Sequence, residues 1–157
     1  MRKLRAKTID GSLVSVDISG FTALAERLSA KGKAGAEELV QRISAVFERL
    51  IDVAERHGGD VLKFRGDALL LLFRDDRHPQ RAAGAASDMQ WTIESMVTQD
   101  VELRMSVGVH SGECHFFLAR TPHHELMVAG PGATRVFELE DLATAGEIVL
   151  SAETAAA

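Results

Sequence analysis

Two apolar runs, Asp60–Phe64 and Ala68–Phe73, are separated only by Arg65-Gly66-Asp67. Each run has the length of a strand, and the intervening glycine offers the backbone freedom that a tight turn needs. The simplest reading is a β-hairpin, and the rest of the chain must be placed around it. Upstream, Leu39, Ile43, Val46 or Phe47, Leu50 and Ala54 recur every three or four residues. That spacing predicts a helix from about Ala36 to Arg56 with one apolar stripe, stopped by Gly58-Gly59. Downstream, Pro79 opens a second long helix that turns Ala82, Ala86, Met89, Ile93 and Met96 inward.

Outside these elements, Ser12–Asp17 alternates and reads as a strand, followed by a turn at Ser19-Gly20-Phe21-Thr22 and a short helix over Ala23–Leu28. Leu103, Met105, Val107 and Val109 alternate with polar residues as in a half-buried strand. Glu113–Leu118 is expected to pair back on it after a turn at Ser111-Gly112. Leu126–Ala129 and Glu147–Leu150 are further strands, with a helix between them from about Thr134 to Ala143. The order predicts an α+β fold with a ferredoxin-like βαββαβ core and extra strands. One domain spans residues 12–151, between a basic, flexible segment 1–11 carrying Arg2, Lys3, Arg5 and Lys7 and a tail 152–157.

The chain has 157 residues, 46% of them hydrophobic and 26% charged, which suits one domain with a sizeable core. A net charge of −5 argues against nucleic acid or acidic membranes as partners. No apolar run approaches the length needed to span a bilayer, so no membrane insertion is expected. A single cysteine, Cys114, excludes an internal disulfide and fits a reducing, cytoplasmic setting.

Asp17 ends the first strand and Asp67 sits at the hairpin tip. In a ferredoxin-like sheet these strands are neighbours, so both carboxylates can converge on one rim. Such a pair repels itself unless cations lie between, and hard oxygen ligands suit Mg²⁺ or Mn²⁺ that also hold phosphates. Ser19–Thr22, entering a helix, offers backbone N–H groups where a polyphosphate would lie. Spacing alone equally allows Asp17 as a helix N-cap and Asp67 as an ordinary turn residue.

The words around these residues are more specific. Val16-Asp17-Ile18-Ser19-Gly20-Phe21-Thr22 resembles the first metal motif of class III adenylyl and guanylyl cyclases, and Gly58–Leu69 (GGDVLKFRGDAL) resembles the second. Leu103–Gly112 (LRMSVGVHSG) and Gly146–Ser151 (GEIVLS) are similar to later strands of that family. The wording is closest to the first cyclase domain of bicarbonate-responsive soluble adenylyl cyclases, through VDISGFTALAERLS and GGDVLKFRGDALLLLF.

This resemblance implies a nucleotide-cyclase fold in which two domains pack head to tail as a homodimer or heterodimer. It implies that Asp17, Asp67 and the Ile18 carbonyl hold two Mg²⁺ or Mn²⁺ ions, with Ser19, Gly20, Phe21, Thr22 and Lys63 at the nucleotide. ATP, with GTP not excluded, would close to a cyclic 3′,5′-phosphate with release of pyrophosphate. The chain departs from the family at the other half-site. Met127 stands where an Asp or Thr reads the purine, Thr134 where an Asn acts, and Glu138 where an Arg acts. An anion for a cation there turns attraction into repulsion, about 4 kcal/mol at 4 Å and an effective dielectric near 20. Arg135 lies almost one helical turn away. The arginine that completes a bicarbonate site falls at Phe137, and the family's last hairpin, with its triphosphate lysine, falls beyond Ala157. The chain therefore reads as the metal-bearing half of a cyclase that needs a complementary domain. The alternative is a catalytically degenerate regulatory module that binds nucleotide or a small anion.

Gly58-Gly59-Asp60 also resembles part of a diguanylate cyclase signature, but Val61-Leu62 follow where acidic and aromatic residues belong. His110, Cys114, His115, His123 and His124 match no structural zinc spacing. Trp91 reads as a partly buried packing residue on its helix.

Overall fold

The structure is a computed structural model that describes residues 5–96, 101–119 and 124–157. A long strand, β1 (Arg5–Ser19), leads into helices α1 (Phe21–Ser29) and α2 (Lys33–Arg56). The hairpin β2 (Gly59–Arg65) and β3 (Ala68–Arg74) follows, then α3 (His78–Ser95) and a second long strand, β4 (Arg104–Ala119). The chain closes with β5 (Glu125–Ala129), α4 (Pro131–Leu142), β6 (Ile148–Leu150) and α5 (Ala152–Ala155). The sheet runs β2-β3-β1-β4-β5, with β6 parallel to β4. Its first four strands in that order are the ferredoxin-like core.

The hairpin forms as the two runs predict. Arg65 pairs with Ala68, and Gly66 turns the chain at φ 64. Leu69, Leu71 and Phe73 join one buried cluster, while Leu70 and Leu72 join another on the opposite face. β3 is therefore covered on both sides, which explains its unbroken apolar run. The first cluster binds the sheet to Val46, Leu50 and Val53 of α2 and to Ala82, Ala86, Met89 and Ile93 of α3. The second lies under α4 through Val136.

Two expectations change at the long strands. Ser111-Gly112 is not a turn: β4 continues through it, pairing with β1 from Ser19↔Arg104 to Arg5↔Leu118. Gly112 takes φ 150 opposite Gly11, so its freedom carries the strand onward instead of reversing it. The same pairing draws Arg5 and Lys7 into β1, so the basic start is strand from Arg5 onward; Arg2 and Lys3 lie outside the described residues. Residues 152–155 form a helical turn, capped by the Ser151 hydroxyl accepting from the Thr154 N–H at 3.3 Å. Trp91 is 70% exposed rather than partly buried, because the inward stripe of α3 is filled by alanines and Met89.

Candidate active site

The register of β1 against β3 sets Asp17 opposite Ala68, the residue after Asp67. The Ile18 N–H donates to the Asp67 carbonyl at 3.1 Å, which pins the hairpin tip to the end of β1. The two carboxylates thus belong to one rim, and Asp17 lies within the field of Asp67. Burial lifts the Asp17 carboxyl above its ordinary range, and the Asp67 charge adds to the effect. Asp17 is not a helix N-cap, since the N-cap of α1 is Gly20, whereas Asp67 does lie in the hairpin turn.

Gly20 is required where it stands. Its φ is 107, and a Cβ there would lie 2.6 Å from the Glu102 carbonyl oxygen. α1 then begins at Phe21 with no side-chain cap and no acid in its first turn, leaving its leading N–H groups to an outside acceptor. Phe21 anchors this end of the helix against Phe47, with ring centres 6.1 Å apart, and Phe47 meets Phe64 of the hairpin at 5.6 Å. Thr22 is exposed, and Ser19 donates to the Arg104 carbonyl at 3.5 Å.

The rim holds more acid than the motifs named. Leu13, Ser15 and Asp17 share the face of β1 that α4 covers. There the Ser15 hydroxyl donates to the Glu140 carboxylate. Burial raises the Glu140 carboxyl too; the Ser15 hydrogen bond opposes this, and Asp17 and Asp141 reinforce it. Arg65 is the cation of the group: it pulls Asp17 and Glu140 downward and rests on the Phe137 ring, 4.6 Å from its centre. Ser15, Arg65, Glu140 and Asp141 were not among the sequence candidates. Only the wide separation of Glu140 and Asp141 from both motifs hid them, since α4 reaches β1 solely through the tertiary fold.

Other predicted positions lie apart from this rim. Lys63 follows a bulge after Val61 and faces Leu70, which in turn pairs with Ser15, so it is about two strand spacings, roughly 10 Å, from Ser15. Met127 is 40% exposed on β5. Thr134 and Glu138 line a separate cavity of about 550 Å³ with His110, Arg135 and Glu153. There Arg135 does offset Glu138: the two pair at 3.5 Å, one turn apart on α4.

Among the described residues, no three His, Cys, Asp or Glu side chains form a ready metal cage; His123 lies outside them. Two carboxylates whose negative charge Arg65 only partly offsets suit a hard divalent cation whose shell is finished by water and phosphate oxygens, and not a closed zinc site.

Fold and rim together define a nucleotide cyclase domain: residues 6–157 match the adenylate and guanylate cyclase catalytic domain, and the chain belongs to that family. Among curated relatives, it is 28% identical over 151 residues to adenylate cyclase type 10 of Homo sapiens, and 28% identical over 154 residues to that of Rattus norvegicus. These matches cover 90% and 92% of this chain but only 9% and 10% of the relatives, so the chain spans about a tenth of their length. The fold matches the adenylyl cyclase CyaB from P. aeruginosa with a TM-score of 0.77 at 23% identity, over 98% of this chain and 81% of that one. It also matches the guanylate cyclase domain of RhGC from Catenaria anguillulae in complex with GTP, with a TM-score of 0.80 at 21% identity over 94% and 81%. No helix among the described residues is long and apolar enough to cross a membrane.

Proposed function

We propose that this domain is the metal-bearing half of an adenylate cyclase, converting ATP to cyclic AMP and pyrophosphate when paired with a complementary domain. The observation that carries this reading is the Ile18–Asp67 backbone bond, which joins two acidic motifs beside the uncapped start of α1. Asp17, Asp67 and the Ile18 carbonyl would hold two Mg²⁺ or Mn²⁺ ions. When bound, these cations supply charge for the triphosphate and acidify the ribose 3′-hydroxyl.

The chain's own groups do the rest. The N–H groups at Gly20, Phe21 and Thr22, with Ser19 beside them, receive phosphate oxygens at the positive end of α1. The Asp17 carboxyl, raised in the bare protein, would be drawn back down by a cation held beside it. Gly20 keeps the backbone close enough for these contacts. Lys63, away from the rim, serves the purine at the pseudo-equivalent site of the pair. ATP is favoured by the likeness to adenylate cyclase type 10, and a single buried free cysteine accords with the cytoplasm.

A complementary domain is needed because Thr134 and Glu138 offer no amide or guanidinium to a partner's site, and Arg135 is engaged by Glu138. The purified chain is to be incubated with Mn²⁺ and ATP, or GTP, alone and with a cyclase domain that carries the Asn and Arg. Cyclic AMP should form in the mixture and little or none in the chain alone. No cyclic nucleotide in either would defeat the catalytic reading. Metal-dependent ATP binding without pyrophosphate release under any pairing would instead establish the regulatory alternative, which the Arg135–Glu138 pair favours.

A further inference from the structure

Arg65 ends β2, two residues before Asp67, and its guanidinium lies 4.6 Å from the centre of the Phe137 ring. Phe137 precedes Glu140 by about one turn of α4, and Glu140 is tied to Ser15 on the Asp17 face of β1. The stack therefore suspends a planar cation beside the carboxylate rim. Yet among the described residues no carboxylate comes within ion-pair distance of Arg65, although Asp17 and Glu140 both feel its charge. An aromatic ring holds a guanidinium by its face and leaves the N–H edge open. That edge is a fork of donors suited to two oxygens of one phosphate.

A second feature of the same rim calls for an anion: α1 opens beside Asp17 without a cap. Asp17, Asp67 and a fully ionised triphosphate together carry more negative charge than two divalent ions and the helix end remove, and Arg65 is a cation whose charge reaches Asp17. We propose that Arg65 binds the triphosphate from the same chain that supplies Asp17 and Asp67, with Phe137 as the platform that orients it. This rests on the reading of the rim as a metal and triphosphate site.

The test uses the full chain, calorimetry with Mn²⁺ and the non-cyclising α,β-methylene analogue of ATP, and parallel titrations with Mn²⁺ alone. Arg65→Ala should weaken the analogue by about tenfold or more, the worth of lost charge-assisted hydrogen bonds. Mn²⁺ alone should bind as well as before or better, since a cation has left its neighbourhood. Arg65→Lys should recover only part of the loss, because an ammonium has no fork. Phe137→Leu, which keeps an apolar side chain under α4, should give a smaller loss and carries the test should Arg65→Ala fail to fold. Analogue affinity unchanged in both Arg65→Ala and Phe137→Leu, with Asp17→Asn losing metal and analogue, would overturn the role of Arg65 and leave the rim intact. Wild-type protein that takes neither Mn²⁺ nor the analogue would overturn both.

Discussion

Gly108 lies in β4 directly beneath α4, and replacing it by alanine tests how closely the acid-bearing helix must sit on the sheet. A Cβ there would lie 2.5 Å from the Val136 carbonyl oxygen and 2.5 Å from the Glu140 N–H nitrogen. Ordinary contact begins at 3.4 Å, so α4 must retreat by about 0.9 Å or β4 must bend away. Both obstacles are backbone, with no side chain free to rotate aside. Overpacking of this kind costs about 1–3 kcal/mol. In a domain of this size each kcal/mol moves the melting temperature by about 2–4 °C. Gly108→Ala should therefore melt several degrees below wild type by calorimetry or circular dichroism. The same retreat carries Glu140 from Ser15 and Phe137 from Arg65, so Mn²⁺-dependent nucleotide affinity should fall as well. Gly32→Ala is the control: it meets nothing within 4 Å and pays only for its backbone conformation, φ 62 and ψ −138, about 1–3 kcal/mol, with nucleotide affinity unchanged. A Gly108→Ala protein that melts with wild type and binds nucleotide equally well would refute the close approach of α4 to β4.

Asp17→Asn should stabilise the metal-free protein at neutral pH yet abolish the rise in melting temperature that Mn²⁺ gives wild type. The sign follows from the raised folded-state carboxyl: the folded protein binds the proton more tightly, so the stability it lends is lost as pH rises from the ordinary aspartate value of 3.8 through the folded value. An equal Mn²⁺ response in the variant would remove Asp17 from the metal site. His110 behaves in the opposite sense, because burial holds it below 6.5 and outweighs the pull of Glu153. The unfolded chain then takes the proton first, stability falls as pH drops below 6.5, and His110→Asn should flatten that slope in urea titrations; an unchanged slope argues against a buried neutral imidazole. The Cys114 thiol is buried and pushed up to about 11, so an alkylating reagent near pH 8 should label native protein far more slowly than urea-unfolded protein. Comparable rates would mean that β4 opens readily under native conditions.

The two acidic motifs are legible because each lies within a few residues of a feature that local physics fixes. Asp17 ends an alternating strand before a glycine, and Asp67 occupies a turn between two apolar runs; their meeting then follows from which strands a ferredoxin-like sheet sets side by side. The long β1–β4 ribbon was hidden for the opposite reason. Ser111-Gly112 has the composition of a turn, and only the fifteen-residue partner strand makes it extended. Likewise Glu140 and Asp141 have no local mark. Their approach to Asp17 depends on α4 crossing β1 at Ser15 and on Gly108 allowing the helix down, neither of which has any periodicity to read.

That close crossing also explains why the rim is more acidic than two motifs alone would make it. Ser15 holds Glu140 toward Asp17, and burial keeps both carboxyls raised, so the rim gathers negative charge that a bound cation would relieve. Arg65 offsets part of it from its place on the Phe137 ring, without an ion pair to a carboxylate among the described residues. On the proposed reading, such a rim would bind metal and nucleotide better together than separately, because each would neutralise the charge that the other leaves. Titrating Mn²⁺ in the presence of the ATP analogue should therefore give a tighter apparent affinity than Mn²⁺ alone, and linkage requires the same factor for the analogue in the presence of Mn²⁺. Ser15→Ala, which frees Glu140 from its anchor, should shrink that factor; equal factors in variant and wild type would show that Glu140 stands outside the metal's field.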